Sequence, residues 1–540
     1  MNLGPGSFLR RWFDSECGAA DRLIPRWIFL RALGLIYFSA FFSLVFQIRG
    51  LIGTQGILPC NEYLEAVARQ FGVARFWFAP TLLWFSTGPH MLGAICWVGM
   101  IASLLAVLNV WPRATLFICL VCFLSFVSAA QDFSGYQSDG MLLEAGFISL
   151  FFAPPGFLPG LGRPHPPSRA SMFLLQWEWF RIYFESGMVK LASGDSEWRN
   201  FTAMDEYYQN GPLPTWIGWY VQHLPHWFHA FATGATLVLE LGLVFMLFLP
   251  RRWRIVCFFI VTAWQIPVIL TANYTFLNYL VLLLGFLLLD DRFLLRIMPG
   301  RWRTYITQRI GVPSEKNVES QDSDSPLPER KALRPLQALR LSLVSVMLIW
   351  IFYATTAPMI WIISPRLPLP TSPIAALDPF RIANRYGLFA VMTRGRYEIE
   401  FQGSNDGQTW VAYPFRYKPQ DPRQRPGIYA PYQPRFDWNL WFASLGSWRE
   451  NLIVPSTEER LLAGSPDVLA LFAGSPFPQA PPQQVRAALW QYWFTTLEEK
   501  RTTGMWWKRK LIGLYAPVLE RTPDGKVGVV QWPEPLPPRQ

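Results

Sequence analysis

A succession of long apolar runs constrains this chain more than any other feature of its sequence. About nine runs have the length, roughly 17–25 residues, that an α-helix needs to cross the hydrocarbon core of a bilayer. They lie near 27–48, 90–110, 114–130, 142–158, 171–192, 228–249, 255–270, 272–289 and 340–363. The pair 255–289 is equally compatible with one long, broken helix. The sequence therefore predicts a polytopic α-helical membrane bundle.

The composition fits a membrane domain joined to a soluble one. The 540 residues are 51% hydrophobic and 16% charged, whereas an average soluble domain is about 25% charged. The net charge of +11 raises the question of nucleic acid binding. However, arginines cluster beside the apolar runs, as at Arg10, Arg11, Arg251 and Arg252, which is typical of cytoplasmic loops. We therefore expect membrane lipid, and no nucleic acid, around this chain.

The arginine distribution also orients the bundle, because Lys and Arg favour the cytoplasmic side of a membrane. The polar, proline-containing stretch 313–335 has the composition of a disordered segment. The predicted parts are a cytoplasmic amino terminus (1–26), a transmembrane helical domain (27–290), a partly disordered cytoplasmic linker (291–339), a last transmembrane span (340–363) and a soluble lumenal or periplasmic domain (372–540).

The soluble part is predicted to be an α+β domain. Apolar and polar residues alternate over 397–402, which is the period of a β-strand. Residues 404–407 (Ser-Asn-Asp-Gly) follow, and Asp-Gly favours a tight hairpin. Beyond about residue 437 the pattern indicates short helices. We place these helices at 438–445, 466–472 and 482–494.

The apolar run 171–192 carries four charged residues, Glu178, Arg181, Glu185 and Lys190. Charges that face lipid are costly, so these side chains have to face the protein interior or a watery cavity. Glu178, Arg181 and Glu185 share one helical face by their spacing, whereas Lys190 lies well round the helix.

Asp139 and Glu144 stand near the start of another apolar run. Asp139 is expected either to cap that helix or to form, with Glu144, an acidic wall facing the charges of 171–192. Two interpretations of this intramembrane polar cluster remain open. It is either a structural ion network or a working polar site in which a desolvated Lys190 acts as base or ligand contact.

Tryptophans outside the apolar runs mark a second candidate region. They suit either an interfacial aromatic belt or a rigid partner-binding surface. The candidates are Trp216, Trp219, Trp410, Trp438 and Trp441.

Three histidines, His223, His226 and His229, recur at a spacing that could hold a metal on a helix. Pro225 interrupts them, so we expect interfacial histidines and neither a metal nor a cofactor. Asn200 and Asn273 each begin an Asn-x-Thr glycosylation motif, of which the second lies too near the membrane to favour modification.

Long blocks of this sequence resemble the lipase maturation factor family. The blocks are 36–59, 135–144, 184–191 with Asp195 and 198–200, 273–276, 379–381, 384–389 and 397–410. The resemblance implies a non-enzymatic membrane protein that assists the folding and assembly of secreted homodimeric lipases. It implies the endoplasmic reticulum membrane in a eukaryote and the cytoplasmic (inner) membrane in a bacterium. We expect the candidate tryptophans to hold the unfinished client.

A second resemblance covers about one helix and the loop after it. The tract 183–198, with Gly187-x-x-Lys190, is similar to the membrane domain of vitamin K-dependent carboxylases and their bacterial relatives. In those enzymes the matching lysine is a base. The alternative function is therefore a carboxylase-like or quinone-linked membrane enzyme centred on Lys190, Glu185 and Asp139.

Overall fold

The computed structural model describes residues 5–310, 334–522, 524–537 and 539. Most of the predicted disordered stretch, 313–335, lies outside the described residues. The helices before this gap are α1 (Pro5–Phe13), α2 (Leu23–Val45), α3 (Ile48–Ile52), α4 (Cys60–Phe71), α5 (Arg75–Phe78), α6 (Pro89–Val107), α7 (Pro112–Val127), α8 (Gln137–Phe152), α9 (Arg169–Ala192), α10 (Ser196–Arg199), α11 (Tyr207–Asn210), α12 (Trp216–Gln222), α13 (His226–Leu241), α14 (Arg251–Thr271), α15 (Leu277–Phe286), α16 (Asp291–Ile297) and α17 (Gly300–Ile310).

The helices after the gap are α18 (Pro335–Ile363), α19 (Ser372–Ala375), α20 (Arg435–Leu445), α21 (Ile453–Leu462), α22 (Pro466–Leu469) and α23 (Leu497–Thr503). Five helical stretches among the described residues are long and apolar enough to cross a membrane. They are α2, α6, α13 with its 3-10 extension to Phe248, α14 and α18. Helices also occupy the other predicted runs, but α7 and α15 are shorter and α9 is charged, so the total of nine spans stays a prediction. The run pair 255–289 forms two separate helices, α14 and α15.

Arginines and aspartates gather at one end of the bundle. Asp291 accepts hydrogen bonds from the first N–H groups of α2, those of Leu23 and Ile24, at 3.1 and 2.8 Å. Arg251 pairs with Asp290 through Nη2 at 2.9 Å. These contacts close the end that the sequence predicts to be cytoplasmic, and the carboxy-terminal region packs on the opposite end.

The carboxy-terminal region contains an antiparallel sheet with six strands among the described residues. The strands are β1 (Arg396–Ser404), β2 (Val411–Ala412), β3 (Gln484–Phe494), β4 (Trp507–Leu514), β5 (Val518–Arg521) and β6 (Val527–Gln531). Their order is β2-β1-β3-β5-β6, with β4 also paired to β3. The predicted hairpin is confirmed, since Gln402 pairs with Ala412 and Gly407 at the turn adopts a φ of +70°.

The predicted helix at 482–494 is wrong, because these residues form β3, the central strand. β3 pairs with β1 along nine residue positions from Arg396 to Ser404, and with β4 on its other side. A short apolar run has no decisive period, so pairing with distant strands determined its conformation. The predicted helices at 438–445 and 466–472 correspond to α20 and the shorter α22.

The two regions share one hydrophobic core. A continuous cluster of buried side chains runs from Phe29 of α2 to Leu519 of β5. Helices α20 and α21 cover the sheet, and α22 packs against α3 of the helical bundle. The α+β region is therefore docked on the bundle rather than merely tethered by α18.

Candidate functional site

Helix α9 carries its charged face into the protein interior. Ser168 begins the helix, because its hydroxyl accepts a hydrogen bond from the Ser171 N–H at 3.2 Å. Arg181 forms a buried ion pair with Glu144 of α8 and lies 3.9 Å from Glu185 one turn away. Of the two acids predicted to face these charges, Glu144 does so.

These charges bind the backbone of residues 382–392, an irregular stretch that we call the threaded segment. Glu144 Oε2 accepts the Asn384 N–H at 2.8 Å. Arg181 Nη1 donates to the Asn384 carbonyl at 2.7 Å. An ion pair thus satisfies both backbone groups of one residue of the segment.

The same pattern continues along the threaded segment. Side chains of α8, α9 and the loop after α9 supply acceptors for its N–H groups. These are Glu185 for Tyr386 at 2.6 Å, Gln137 for Gly387 at 2.9 Å and Asp195 for Met392 at 2.7 Å. Irregular backbone within a helical bundle is tolerated only where such partners exist. The arrangement favours the structural interpretation of these charges.

Two members of the predicted cluster have other surroundings. Asp139 does not cap α8, whose N-cap residue is Tyr136. Asp139 instead forms a buried ion pair with Arg435 of α20 at 2.7 Å. Glu178 is buried and neither of its carboxylate oxygens has a hydrogen-bond partner among the described residues. The structure therefore divides the predicted cluster into separate groups.

Lys190 forms another group, with Glu240 of α13. Lys190 Nζ lies 2.6 Å from both Glu240 carboxylate oxygens and 2.7 Å from Ser186 Oγ. Gly187 permits this approach, since a Cβ there would lie 2.8 Å from Leu241. Glu240 was not among the residues predicted from the sequence. Its signal was available, because it is the one acidic residue in the apolar run 228–249.

The Lys190–Glu240 pair borders a cavity of about 350 Å³ that we call the lysine cavity. Its walls come from α9, α13, α14 and α15, from the short helices and loops between α9 and α13, and from residues 386–389 of the threaded segment. Aromatic and aliphatic side chains dominate these walls. The ion pair is therefore the main polar feature of an apolar chamber.

A second cavity, of about 600 Å³, lies where the α+β region meets the bundle. We call it the junction cavity. Trp438 and Trp441 of α20 line it, together with Tyr136, Gln433 and Met392. Two of the five predicted client-binding tryptophans therefore share one chamber.

The junction cavity has buried hydrogen-bonding groups without partners among the described residues. They are the side-chain amide of Gln433 and the indole nitrogens of Trp438 and Trp441. Buried polar groups are normally paired. These atoms are fully buried, so a guest would form hydrogen bonds to them once their side chains turn toward the cavity. Since all of these groups are neutral, they suit peptide groups better than ions.

The two cavities share a wall. Tyr207, Tyr274, Leu388 and Phe389 line both of them. The Phe389 ring packs edge-on against Tyr207 and Tyr274, at centroid distances of 5.6 and 5.3 Å. Phe389 adopts a left-handed φ of +59°, and its carbonyl accepts a hydrogen bond from Trp198 at 2.9 Å.

The remaining predicted tryptophans lie elsewhere. Trp219 is 0% exposed and packs with Tyr492, Phe494 and Trp507, so the client-contact prediction for Trp219 is corrected to a core position. Trp216 and Trp410 are half-buried. The guanidinium carbon of Arg425 lies 5.8 Å from the ring centroid of Trp216, and that of Arg486 lies 4.1 Å from the ring centroid of Trp410.

The three histidines do not converge. His223 bonds to the carbonyls of Trp219 and Thr495, and His226 lies 3.0 Å from Asp205. His229 is buried, and neither ring nitrogen has a hydrogen-bond partner among the described residues. Within the described part of the chain, no three His, Cys, Asp or Glu side chains are grouped as metal ligands would be.

The two glycosylation motifs differ in access. Asn200 is exposed, so its modification stays a prediction. Asn273 is buried, and its amide donates to the carbonyls of Leu213 and Gly427, both at 3.0 Å. Its Oδ1 accepts the Tyr429 N–H at 2.7 Å. This side chain therefore joins two loops of the fold.

Comparisons with known proteins cover nearly the whole chain. The family model for the lipase maturation factor transmembrane domain matches residues 24–296, and that for the lipase maturation factor C-terminal domain matches 382–517. Lipase maturation factor 1 of Bos taurus is 32% identical over 95% of this chain and 92% of its own length. Lipase maturation factor 2 of Gallus gallus is 31% identical over 92% of this chain and 81% of its own length.

No solved structure matches. The match to a transmembrane-domain family, together with the apolar helices, identifies an integral membrane protein. Because the similarity extends through both regions, the chain belongs to the lipase maturation factor family.

Proposed function

We propose that this protein is a membrane-bound maturation factor that holds unfinished secreted lipases in the junction cavity. The relatives that share its length are named lipase maturation factors, which supports a lipase client. The observation that carries the holding mechanism is the set of unpartnered neutral groups beside Trp438 and Trp441. An extended client segment can donate to and accept from these groups while its apolar side chains pack on the indole rings.

The proposed activity is holding rather than catalysis. Lys190, Glu185 and Asp139, the residues of the enzyme alternative, have three different partners, namely Glu240, the backbone of Tyr386, and Arg435. They do not form one reaction centre. The carboxylase-like alternative is not favoured, since both family models and the relatives belong to the lipase maturation factors.

The proposed location follows from charge. The arginine-rich end of the bundle lies in the cytoplasm by the positive-inside rule, which puts the junction cavity on the lumenal or periplasmic side, where a secreted client is found. We propose the endoplasmic reticulum membrane for a eukaryotic source, which membership of the lipase maturation factor family supports, and the inner membrane for a bacterial one.

The test is capture of a secreted homodimeric lipase from cells that lack their own maturation factor. Trp438→Ala and Trp441→Ala should each reduce both lipase crosslinking and secreted lipase activity, whereas Trp532→Ala should change neither. Trp532 is the matched control because it is an exposed tryptophan of the same region outside both cavities. Wild-type capture by both cavity variants, each with an unchanged melting temperature, would exclude the junction cavity as the client site.

A further inference from the structure

The lysine cavity reaches the lipid-facing surface of the bundle. Helix α13 packs against α9, and α14 packs against α12, α15 and the 3-10 extension 243–248 that follows α13. Both α13 and α14 line the cavity, on the stretch of α13 that precedes this extension. Phe231 of α13 is a lining residue and is 65% exposed. Both helices are long and apolar enough to cross a membrane. A bilayer molecule can therefore enter beside Phe231 without passing through water.

The Lys190–Glu240 pair sets the charge of the occupant. An ammonium has three donors, and Lys190 directs them at Ser186 and at both oxygens of Glu240. A ligand carboxylate would add an uncompensated negative charge to an apolar chamber, which is costly. Glu240 is partly accessible, with 12% of its side chain exposed, and its carboxylate can still accept. The ion pair therefore favours a neutral molecule with a hydroxyl donor.

Gln265 of α14 lines the same cavity and supplies the complementary group. Its Oε1 accepts a hydrogen bond from Tyr183 at 3.0 Å, which leaves the amide nitrogen to donate to a ligand oxygen. The volume of about 350 Å³ is near the lower end of the range of about 300–1,000 Å³ for small-ligand sites. This size favours one acyl chain over two.

We propose that the lysine cavity binds one neutral, single-chain lipid with a hydroxylated headgroup, such as a monoacylglycerol, admitted from the bilayer between α13 and α14. The hydroxyl donates to Glu240 and an ester or hydroxyl oxygen accepts from Gln265. The acyl chain lies against the aromatic wall. This site lies across the wall that it shares with the junction cavity, and the proposal does not rest on the client function.

The test uses the full-length protein in phosphatidylcholine vesicles that contain a monoacylglycerol with a photoreactive group in its acyl chain. Label should appear in peptides of α13 and α14, and unlabelled monoacylglycerol should remove it. A fatty acid of the same chain length should compete at least about tenfold less well, a difference of about 1.4 kcal/mol. Equal competition by the fatty acid, or by a diacyl phospholipid, would overturn the proposal.

Three variants sharpen this test. Ala232 is a buried lining residue, so Ala232→Trp should fill the cavity and abolish labelling, whereas Ala235→Trp, on the same helix but outside the lining, should not. Glu240→Gln leaves the ammonium of Lys190 without its carboxylate partner. This variant should therefore bind the fatty acid more tightly than the monoacylglycerol. If Ala232→Trp does not fold, the competition experiment on the wild-type protein still tests the proposal. Labelling that no unlabelled lipid displaces would contradict a defined binding site.

Discussion

Arg435 of α20 and Asp139 of α8 form a two-point ion pair between residues 296 positions apart in the chain, with N–O distances of 2.7 and 2.9 Å. Both side chains are fully buried. Arg435 also donates to the Phe133 carbonyl at 2.7 Å. This contact fixes α20, and with it Trp438 and Trp441, against the bundle.

Breaking that pair should unfold or loosen the junction. Arg435→Met leaves the Asp139 carboxylate buried without its cation, which costs about 3–5 kcal/mol. We expect a large drop in melting temperature, which can be measured by the tryptophan fluorescence of the protein in detergent. The double variant Asp139→Leu/Arg435→Met should recover much of the loss because no charge remains. A single variant as stable as the wild type would refute this role.

Trp219 should behave as a core residue. Trp219→Ala removes a fully buried indole that packs with Phe494 and Trp507, and such truncations cost about 3–5 kcal/mol. The exposed Trp532 provides the control, since Trp532→Ala should change stability by less than about 0.5 kcal/mol. Both are measured by thermal unfolding. Loss of client capture in Trp219→Ala at an unchanged melting temperature would show that Trp219 contacts the client.

Glu458 of α21 should make stability depend on pH. Burial raises the pKa of this carboxyl well above its usual range, although the backbone at Ala487 favours the charged form. The protonated form therefore stabilises the fold fully below the unfolded pKa of about 4.3, and this contribution is lost as pH rises through the folded pKa.

Between acidic and neutral pH, the melting temperature of the wild type should fall further than that of Glu458→Gln. Glu498→Gln, at an exposed position of the same region, should follow the wild-type curve. Parallel pH curves for wild type and Glu458→Gln would show that Glu458 is ionised in the folded protein.

Of the two glycosylation motifs, only the one at Asn200 should be modified, and its modification tests the orientation of the bundle. During translation with microsomes, Asn200→Gln should abolish a glycan-dependent mobility shift, because Asn200 is exposed. Asn273→Gln should keep the shift, since Asn273 is buried and bonded to Leu213 and Gly427. Absence of any shift in the wild type would contradict a lumenal position for the loop around Asn200.

The same residues show how far the sequence predicts this site. The spacing of Arg181 and Glu185 indicated an inward-facing charged side, and the alternation at 397–402 indicated β1. The partner of these charges was not predictable, because the threaded segment lies about two hundred positions away and its backbone carries no side-chain signal. Asn384 and Arg435 were missed because their partners, Glu144 and Asp139, lie 240 and 296 positions away in the chain.

Local pattern determined the elements of this protein. Apolar length identified the helices of the bundle, charges within apolar runs had to point inward, and Asp-Gly determined the first hairpin. Tertiary structure decided the partners. It made 484–494 a central strand, separated Lys190 with Glu240 from the other charges, and buried Trp219 while Trp438 and Trp441 line a cavity. The physical reason is that period and charge specify which face must be buried, whereas only packing specifies what covers that face.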